Sequence, residues 1–593
     1  MSIYDYIVIG FYLVFMVAIG PVYKSFSRTA SDFFRGGGGM LWWVVGSSTF
    51  MTMFSAWAFT AGAAKAYETG TFFLLLFLGN FAGLWFTYFF TAARFRQMRI
   101  ITAIEAVRKR YGAVNEQVFT WLPMAFRLFY GGVGLYAIAI FLHAVFGFDM
   151  AIIIIAVGIT ATIMTLLGGS WAATAGDFVQ MLMLLSITIL MAFLAVYHPQ
   201  VGGFSGLIEK LPSRHFDWTL FDRPWVIIFF AVTLMANQVI QTNSMLDGAA
   251  KYVFVKDGKE GKKSTIISIL GFLFLSPIWM IPAMAAAIIF PNLAEQYPEL
   301  NNPNEAAYVA MAIDLLPKGL LGLMVCAILA ASMTSMNSML NIVSGIFVRN
   351  FYIRIIDKDA SEARQIFIGR IYTLIYGILW IVVGLILKDY KELKLFDLIL
   401  ICSASIGLPA AIPLFLGMFI KKTPSWSGWS TVVIGFAVSL LLRIVLTKQF
   451  ITALFAPADG FGQQEFDDLN IAITTGVLAV VCAGWYLASM LFYKKDDKKY
   501  VERVDEFFKE MKTPIDVKVE HGPSYGNDSR QYGVLGSLCL IYGSFVFLLI
   551  FIPHSSMTAR LSVTFCSMLL AVTGLVLIQI SRQLKRKIQS DGE

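Results

Sequence analysis

Runs of some 20 apolar residues recur along nearly the whole chain, and no other feature restricts its fold as tightly. Each is long enough to cross about 30 Å of hydrocarbon as a helix, and a helix satisfies its own backbone hydrogen bonds in lipid. The residues yield about fifteen such runs. The first, Ile3 to Val22, lacks a basic leading region and is followed by no small-residue cleavage site, so it reads as a retained helix. An all-α polytopic membrane protein follows. Only 14% of residues are charged, against about 25% in ordinary globular chains.

The net charge of +8 invites a nucleic-acid partner, but its distribution excludes one. Lysine and arginine gather in alternate loops: Arg94 to Arg110, Lys251 to Lys263, Arg349 to Arg364, Lys421 and Lys422, Lys494 to Lys499, and Arg582 to Lys587. Such loops face the cytoplasm. Alternation then predicts an inner-membrane protein with its N-terminus outside and its C-terminus inside. The cysteines, Cys326, Cys402, Cys482, Cys539 and Cys566, all lie in hydrophobic segments without paired spacing. That pattern predicts reduced structural thiols and no metal or disulfide framework.

Polarity inside the apolar runs marks where function is expected. The stretch from Cys326 to Phe351 can span the bilayer, yet Thr334, Ser335, Asn337, Ser338 and Asn341 fall on one arc with Ala331 inside it. Two readings fit this stripe. Small and hydroxyl residues line packed membrane helices, and uncharged oxygens also suit a monovalent cation that must bind and then leave. A second irregular stretch, Met40 to Gly70, carries Ser55, Thr60, Gly62, Lys65 and Glu68 where leucine is usual. Lys65 and Glu68, at i and i+3, are expected to pair near the outer surface, and Arg127 to snorkel as an anchor. Asp177 and Gln180 stand at the start of the sixth run, where an acid needs a partner. The seventh run, Trp225 to Leu246, holds Asn237, Gln238, Gln241, Thr242 and Asn243 at its centre, and amides there require a cavity, a ligand or each other.

Two polar, interrupted runs separated by about four others are expected of transporters built from inverted five-helix repeats, each with a broken helix. The division is residues 1–39, an accessory helix and cytoplasmic loop; 40–199, the first repeat; 200–223, an outer loop; 224–420, the second repeat; 421–493, accessory helices; 494–531, a cytoplasmic segment in which VERVDEFFKEMK is amphipathic; and 532–593, a helical hairpin and tail.

The segments LLGGSWAATAGDFVQ, AASMTSMNSMLN and PAAIPLFLGMFIKKTPSWSGWSTVVIG together resemble the sodium:solute symporter family over about Ile3 to Phe492. The resemblance implies the inverted-repeat fold and uptake of a small solute coupled to inward sodium flow. It implies a principal sodium site made by the carbonyls of Met51, Phe54 and Ala331 and the hydroxyls of Thr334 and Ser335. In some members a second sodium lies at positions matching Asp177, Thr334, Asn337 and Ser338, with Asn337 replacing a usual hydroxyl. The sugar-binding positions of the family match Ala58, Phe77 and Phe272 here, so a carboxylate or amino acid is expected near Ser55, Trp57, Asn80, Asn237 and Gln241. Partners are then a solute, sodium and membrane lipid, with sodium as coupling ion and no other cofactor. No catalytic cluster of His, Cys or carboxylates forms within a run, so no enzyme is expected. Rival readings are a membrane sensor signalling through residues 494–531, a proton-coupled carrier using Asp177, and a sugar symporter with unusual contacts.

Overall fold

The structure, a computed structural model, describes residues 1–23, 26, 29–54, 57–216, 224–298, 300, 302–389, 403–455, 463–494, 497–517, 519, 528–553 and 555–590. Helices dominate, as a backbone in hydrocarbon demands. Among the described residues β pairing is confined to an isolated parallel bridge between Met40 and Val255. The helices that position the site are, in order, α1 (Ile3–Tyr23), α2 (Trp42–Met53), α3 (Ala58–Phe73), α4 (Phe77–Gln97), α5 (Ala113–Phe146), α6 (Met150–Leu166), α7 (Gly169–Val196), α8 (Ile228–Thr242), α9 (Gly258–Ile289), α10 (Leu320–Ile356) and α11 (Glu362–Lys388). Beyond them lie α12 (Ser403–Leu416), α13 (Ser427–Val445), α14 (Leu469–Phe492), α15 (Lys498–Lys512), α16 (Asp528–Phe551) and α17 (Met557–Lys587). Among the described residues ten helices are long and apolar enough to cross a membrane, or eleven if α3 and α4, bent by 72°, are one span; α6, α8 and α12 are apolar but shorter.

The polar helix α10 sits at the centre. Of the residues in its apolar window 94% are buried, against 33% for α11. A stripe of hydroxyls and amides can be accommodated there because neighbouring helices, not lipid, meet it.

Two breaks shape the surroundings of α10. Gly169 takes φ 59° and ψ −171° and separates α6 from α7. A Cβ at that residue would lie 2.9 Å from the Phe33 ring and in a left-handed conformation, which is why glycine ends the fifth run. Between α2 and α3 the chain is extended at Phe54, with φ −108° and ψ 129°. The buried Phe54 ring packs on Phe50, Phe59 and Trp279, with centroids 5.5, 5.9 and 6.0 Å away. That aromatic anchor holds the unwound residue in place. The seventh run behaves differently from its expectation: its helix is continuous from Pro224 to Thr242 and unwinds only afterwards, into turns and the single helical turn Ala249–Tyr252. Asn243 explains the stop, since its side chain accepts from Thr87 and Thr91 and donates to the Gly83 carbonyl, fastening this end to α4.

Other expectations meet their structural outcome here. Arg127 is largely buried, and its guanidinium pairs at 2.8 Å with Asp247, whose side chain is half-exposed. Glu68 accepts from Asn304 at 2.7 Å. The amphipathic segment forms α15, burying Tyr500, Val504, Phe507 and Met511 on one face. The final hairpin packs through glycines: a Cβ on Gly574 would lie 2.7 Å from the Gly536 carbonyl, the close approach that small residues permit. Gln531, at the base of α16, accepts from the Leu41 N–H and donates to the Gly39 carbonyl, and so holds the entry to α2. Among the described residues Cys326, Cys482, Cys539 and Cys566 are free and buried; Cys402 lies outside them.

Candidate functional site

Two polar clusters lie on either side of one turn of α10. In the first, the Ser335 hydroxyl is 3.1 Å from the Thr52 carbonyl oxygen, 3.4 Å from that of Phe54 and 3.3 Å from that of Ala331. The Thr52 and Phe54 carbonyls are free to point there because α2 ends at Met53, and the last carbonyls of a helix have no partner within it. A serine hydroxyl carries one hydrogen, so it can donate fully to only one of the three oxygens. The rest is a concentration of lone pairs with no fixed charge. Met51, one turn back, accepts from the Phe54 N–H at 3.1 Å. Thr334 is turned about 100° from Ser335 around the helix and donates to Gln180 Oε1 at 2.5 Å.

The second cluster is charged. Asp177 on α7 accepts from the Ser48 hydroxyl on α2. That same hydroxyl accepts from the Lys251 ammonium at 2.7 Å, and the ammonium also donates to Ser338 Oγ on α10 at 3.0 Å and lies 3.8 Å from Asp177 Oδ2. All four residues are buried. Burial pulls the Lys251 pKa below the ordinary lysine value, and Asp177 opposes that shift. Asn337 accepts from Thr165 on α6 at 3.0 Å. Asn341 donates to Ser170 at 2.7 Å and Ser344 to the Gly369 carbonyl at 2.8 Å, contacts that pack helices together. A cavity of about 30 Å³, bordered by Thr165, Asp177, Gln180, Asn337 and Asn341, has room for about one water.

The residues expected around the solute form two groups. Asn237 accepts from Gln241 at 2.6 Å, and Gln241 donates to Ser403 Oγ at 2.7 Å. Trp57 packs on Phe73, with centroids 6.3 Å apart, at the edge of an aromatic cluster in which Phe77 stands 6.0 Å from Phe272 and 5.8 Å from Trp279. Asn80 is half-buried on α4. Ser55 lies outside the described residues. The sequence alone points to Asp177 without its partner, because Lys251 falls at the head of a basic loop and nothing in the residues around Ser48 sets it apart. A signal existed in the chain, because Lys251 stands alone between Gly248-Ala249-Ala250 and Tyr252-Val253-Phe254-Val255, apart from the polar run that begins at Lys256.

Known proteins share this architecture. A solved Na+-coupled sialic acid symporter, in a substrate-bound outward-open state, aligns with a TM-score of 0.65 at 20% identity, covering 83% of this chain and 98% of its own. The sodium/sialic acid symporter of Proteus mirabilis is 26% identical over 450 residues, 74% of this chain and 88% of the relative. The sodium/glucose cotransporter 1 of Ovis aries is 27% identical over 483 residues, 73% of this chain and 70% of the relative. The sequence pattern of the sodium:solute symporter family matches residues 33–435, which include both breaks, Asp177, Lys251 and the polar turn of α10. These are membrane transporters coupled to sodium, and this chain belongs to the sodium:solute symporter family.

Proposed function

We propose that this sodium-coupled symporter takes up a small carboxylate or amino acid by alternating access, with sodium entering down its gradient. The observation that carries the reading is the convergence of the Thr52, Phe54 and Ala331 carbonyls on Ser335. Uncharged oxygens from two helices, one of them broken, suit a cation that must be released again. Sodium held there ties the α2–α3 break to α10. Met51 and Thr334 complete the proposed shell, which requires Thr334 to exchange Gln180 for the ion. At 100 mV each inward charge supplies about 2.3 kcal/mol before any concentration gradient.

The solute then docks between the break and α8, against Ser55, Trp57 and Asn80 on one side and Asn237 and Gln241 on the other. The Asn237–Gln241–Ser403 chain supplies polar contacts, and Phe77, Phe272 and Trp279 supply apolar ones. Around this core the proposal keeps about fifteen spans, inverted repeats over 40–199 and 224–420, an outer N-terminus, a cytoplasmic C-terminus and a lipid-facing periphery. A sugar or polyol is the second reading. It is favoured by the names of relatives, which include a sodium/glucose cotransporter and sodium/myo-inositol cotransporters.

Thermal stability of the purified protein, measured with panels of carboxylates, amino acids and sugars with and without sodium, separates these readings. A bound ligand raises apparent stability by mass action. A hit seen only in sodium names the solute class, and no hit among carboxylates or amino acids removes the first reading. In proteoliposomes loaded with the solute so found, uptake that persists at wild-type level in Thr334→Ala and Ser335→Ala would refute the sodium site.

A further inference from the structure

At Asp177 a cation is already present, and the chain itself supplies it. The Lys251 ammonium has three hydrogens, of which one is directed to Ser48 and another to Ser338, while Asp177 lies within ion-pair distance. Ser48 relays between the charges, donating to the acid and accepting from the ammonium. The set joins α2, α7, α10 and the turn Ala249–Tyr252. An acid and hydroxyls on α7 and α10 are the donor set a second sodium would use, and Ser338 and Asp177 now serve nitrogen instead. The adjacent 30 Å³ cavity is bordered by Asp177 and not by Lys251, and the acid it meets is already balanced by the ammonium, which suits water better than another positive charge, since like charges in a buried site repel strongly.

We propose that Lys251 is a built-in replacement for a second sodium ion, so that the protein binds one sodium per chain where an unpartnered Asp177 would recruit two. The inference rests on the reading of the first cluster as a sodium site. It adds that the second cluster is satisfied by a tethered charge that never leaves with the solute. Coupling would then move one fewer ion per cycle, and the lysine would report the state of the break, because Ser48 belongs to α2.

The test counts ions without needing the solute. Equilibrium binding of radioactive sodium to purified, monodisperse protein, with choline replacing sodium to hold ionic strength, gives the number of sites per chain. The wild type is expected to bind one, Lys251→Met two, and Asp177→Asn one with an affinity within about threefold of wild type, a shift under 1 kcal/mol. Two sites in the wild type, or one site in a folded Lys251→Met, overturns the inference and leaves the first sodium site standing. If Lys251→Met does not fold, the wild type and Asp177→Asn decide: one site in each supports the tethered charge, and loss or weakening of binding in Asp177→Asn refutes it. No sodium binding by wild type overturns this inference together with the sodium site on which it rests.

Discussion

The two clusters flanking α10 differ in how they are made. The one at Ser335 is built mainly from backbone oxygens and has no charge; a single hydroxyl faces three carbonyls. The one at Asp177 is built from side chains of separate elements and contains a complete ion pair. The first depends on the extended residue Phe54 and hence on its aromatic anchor, so its oxygens appear only if α2 stops where it does. The second depends on chemistry at particular positions and can be edited one residue at a time. Neighbouring residues of one helix thus belong to two kinds of cluster: an uncharged one of hydroxyl and carbonyl oxygens, and a charged one in which the acid is met by the protein's own lysine.

The contrast is tested most severely by Lys251→Met. Removing one partner of a buried pair leaves an uncompensated charge and costs about 3–5 kcal/mol. The midpoint of thermal unfolding in sodium-free buffer should fall steeply, and sodium should restore part of it. Asp177→Asn combined with Lys251→Met should recover most of the loss, because no charge is then left unpaired. If single and double variants unfold alike, the pair does not hold these helices together. Ser335→Ala is the counterpart on the neutral side. In the sodium-free protein it removes one modest hydrogen bond, about 1 kcal/mol, but sodium affinity should drop about tenfold or more, a loss of about 1.4 kcal/mol. Equal effects on stability and sodium binding from both variants would erase the distinction between the clusters.

These differences track what could be read from residues alone. The fold class was legible because lipid leaves the backbone few options, and the glycine at position 169 and the irregular stretch after Met40 marked the two breaks that flank α10. The stripe on α10 was legible from helical spacing, and Asn341 and Ser344 prove to be packing contacts. What escaped was everything decided by distance along the chain. Lys251 is 74 positions from Asp177, as the numbering gives, and sits in a loop that charge counting had already explained as cytoplasmic. Thr52 was invisible for another reason: its contribution is a carbonyl, which every residue has, and only the place where α2 ends selects it over Met51. The same logic explains the seventh run, where amides suggested a mid-helix break but Asn243 instead caps a continuous helix against α4.

Thr334 is where the comparison is sharpest, because it stands between the clusters. Its hydroxyl now belongs to the charged side, donating to Gln180, which in turn donates to Tyr12 on α1 at 3.1 Å. If Thr334 also turns to complete the sodium shell, the two sites compete for one hydroxyl, and sodium binding should loosen the tie from α10 to α7. Thr334→Val keeps the shape and removes the hydroxyl. It should lower sodium affinity about fivefold, close to 1 kcal/mol, and reduce sodium-free stability by a similar amount. Gln180→Leu keeps the Thr334 hydroxyl and removes its competing acceptor together with the tie to Tyr12, so sodium affinity should hold or rise while sodium-free stability falls. Sodium titrations of both variants separate the outcomes. An unchanged affinity in Thr334→Val assigns the hydroxyl to the charged cluster alone, whereas a fall in both variants makes Gln180 a support for the sodium site and not its competitor.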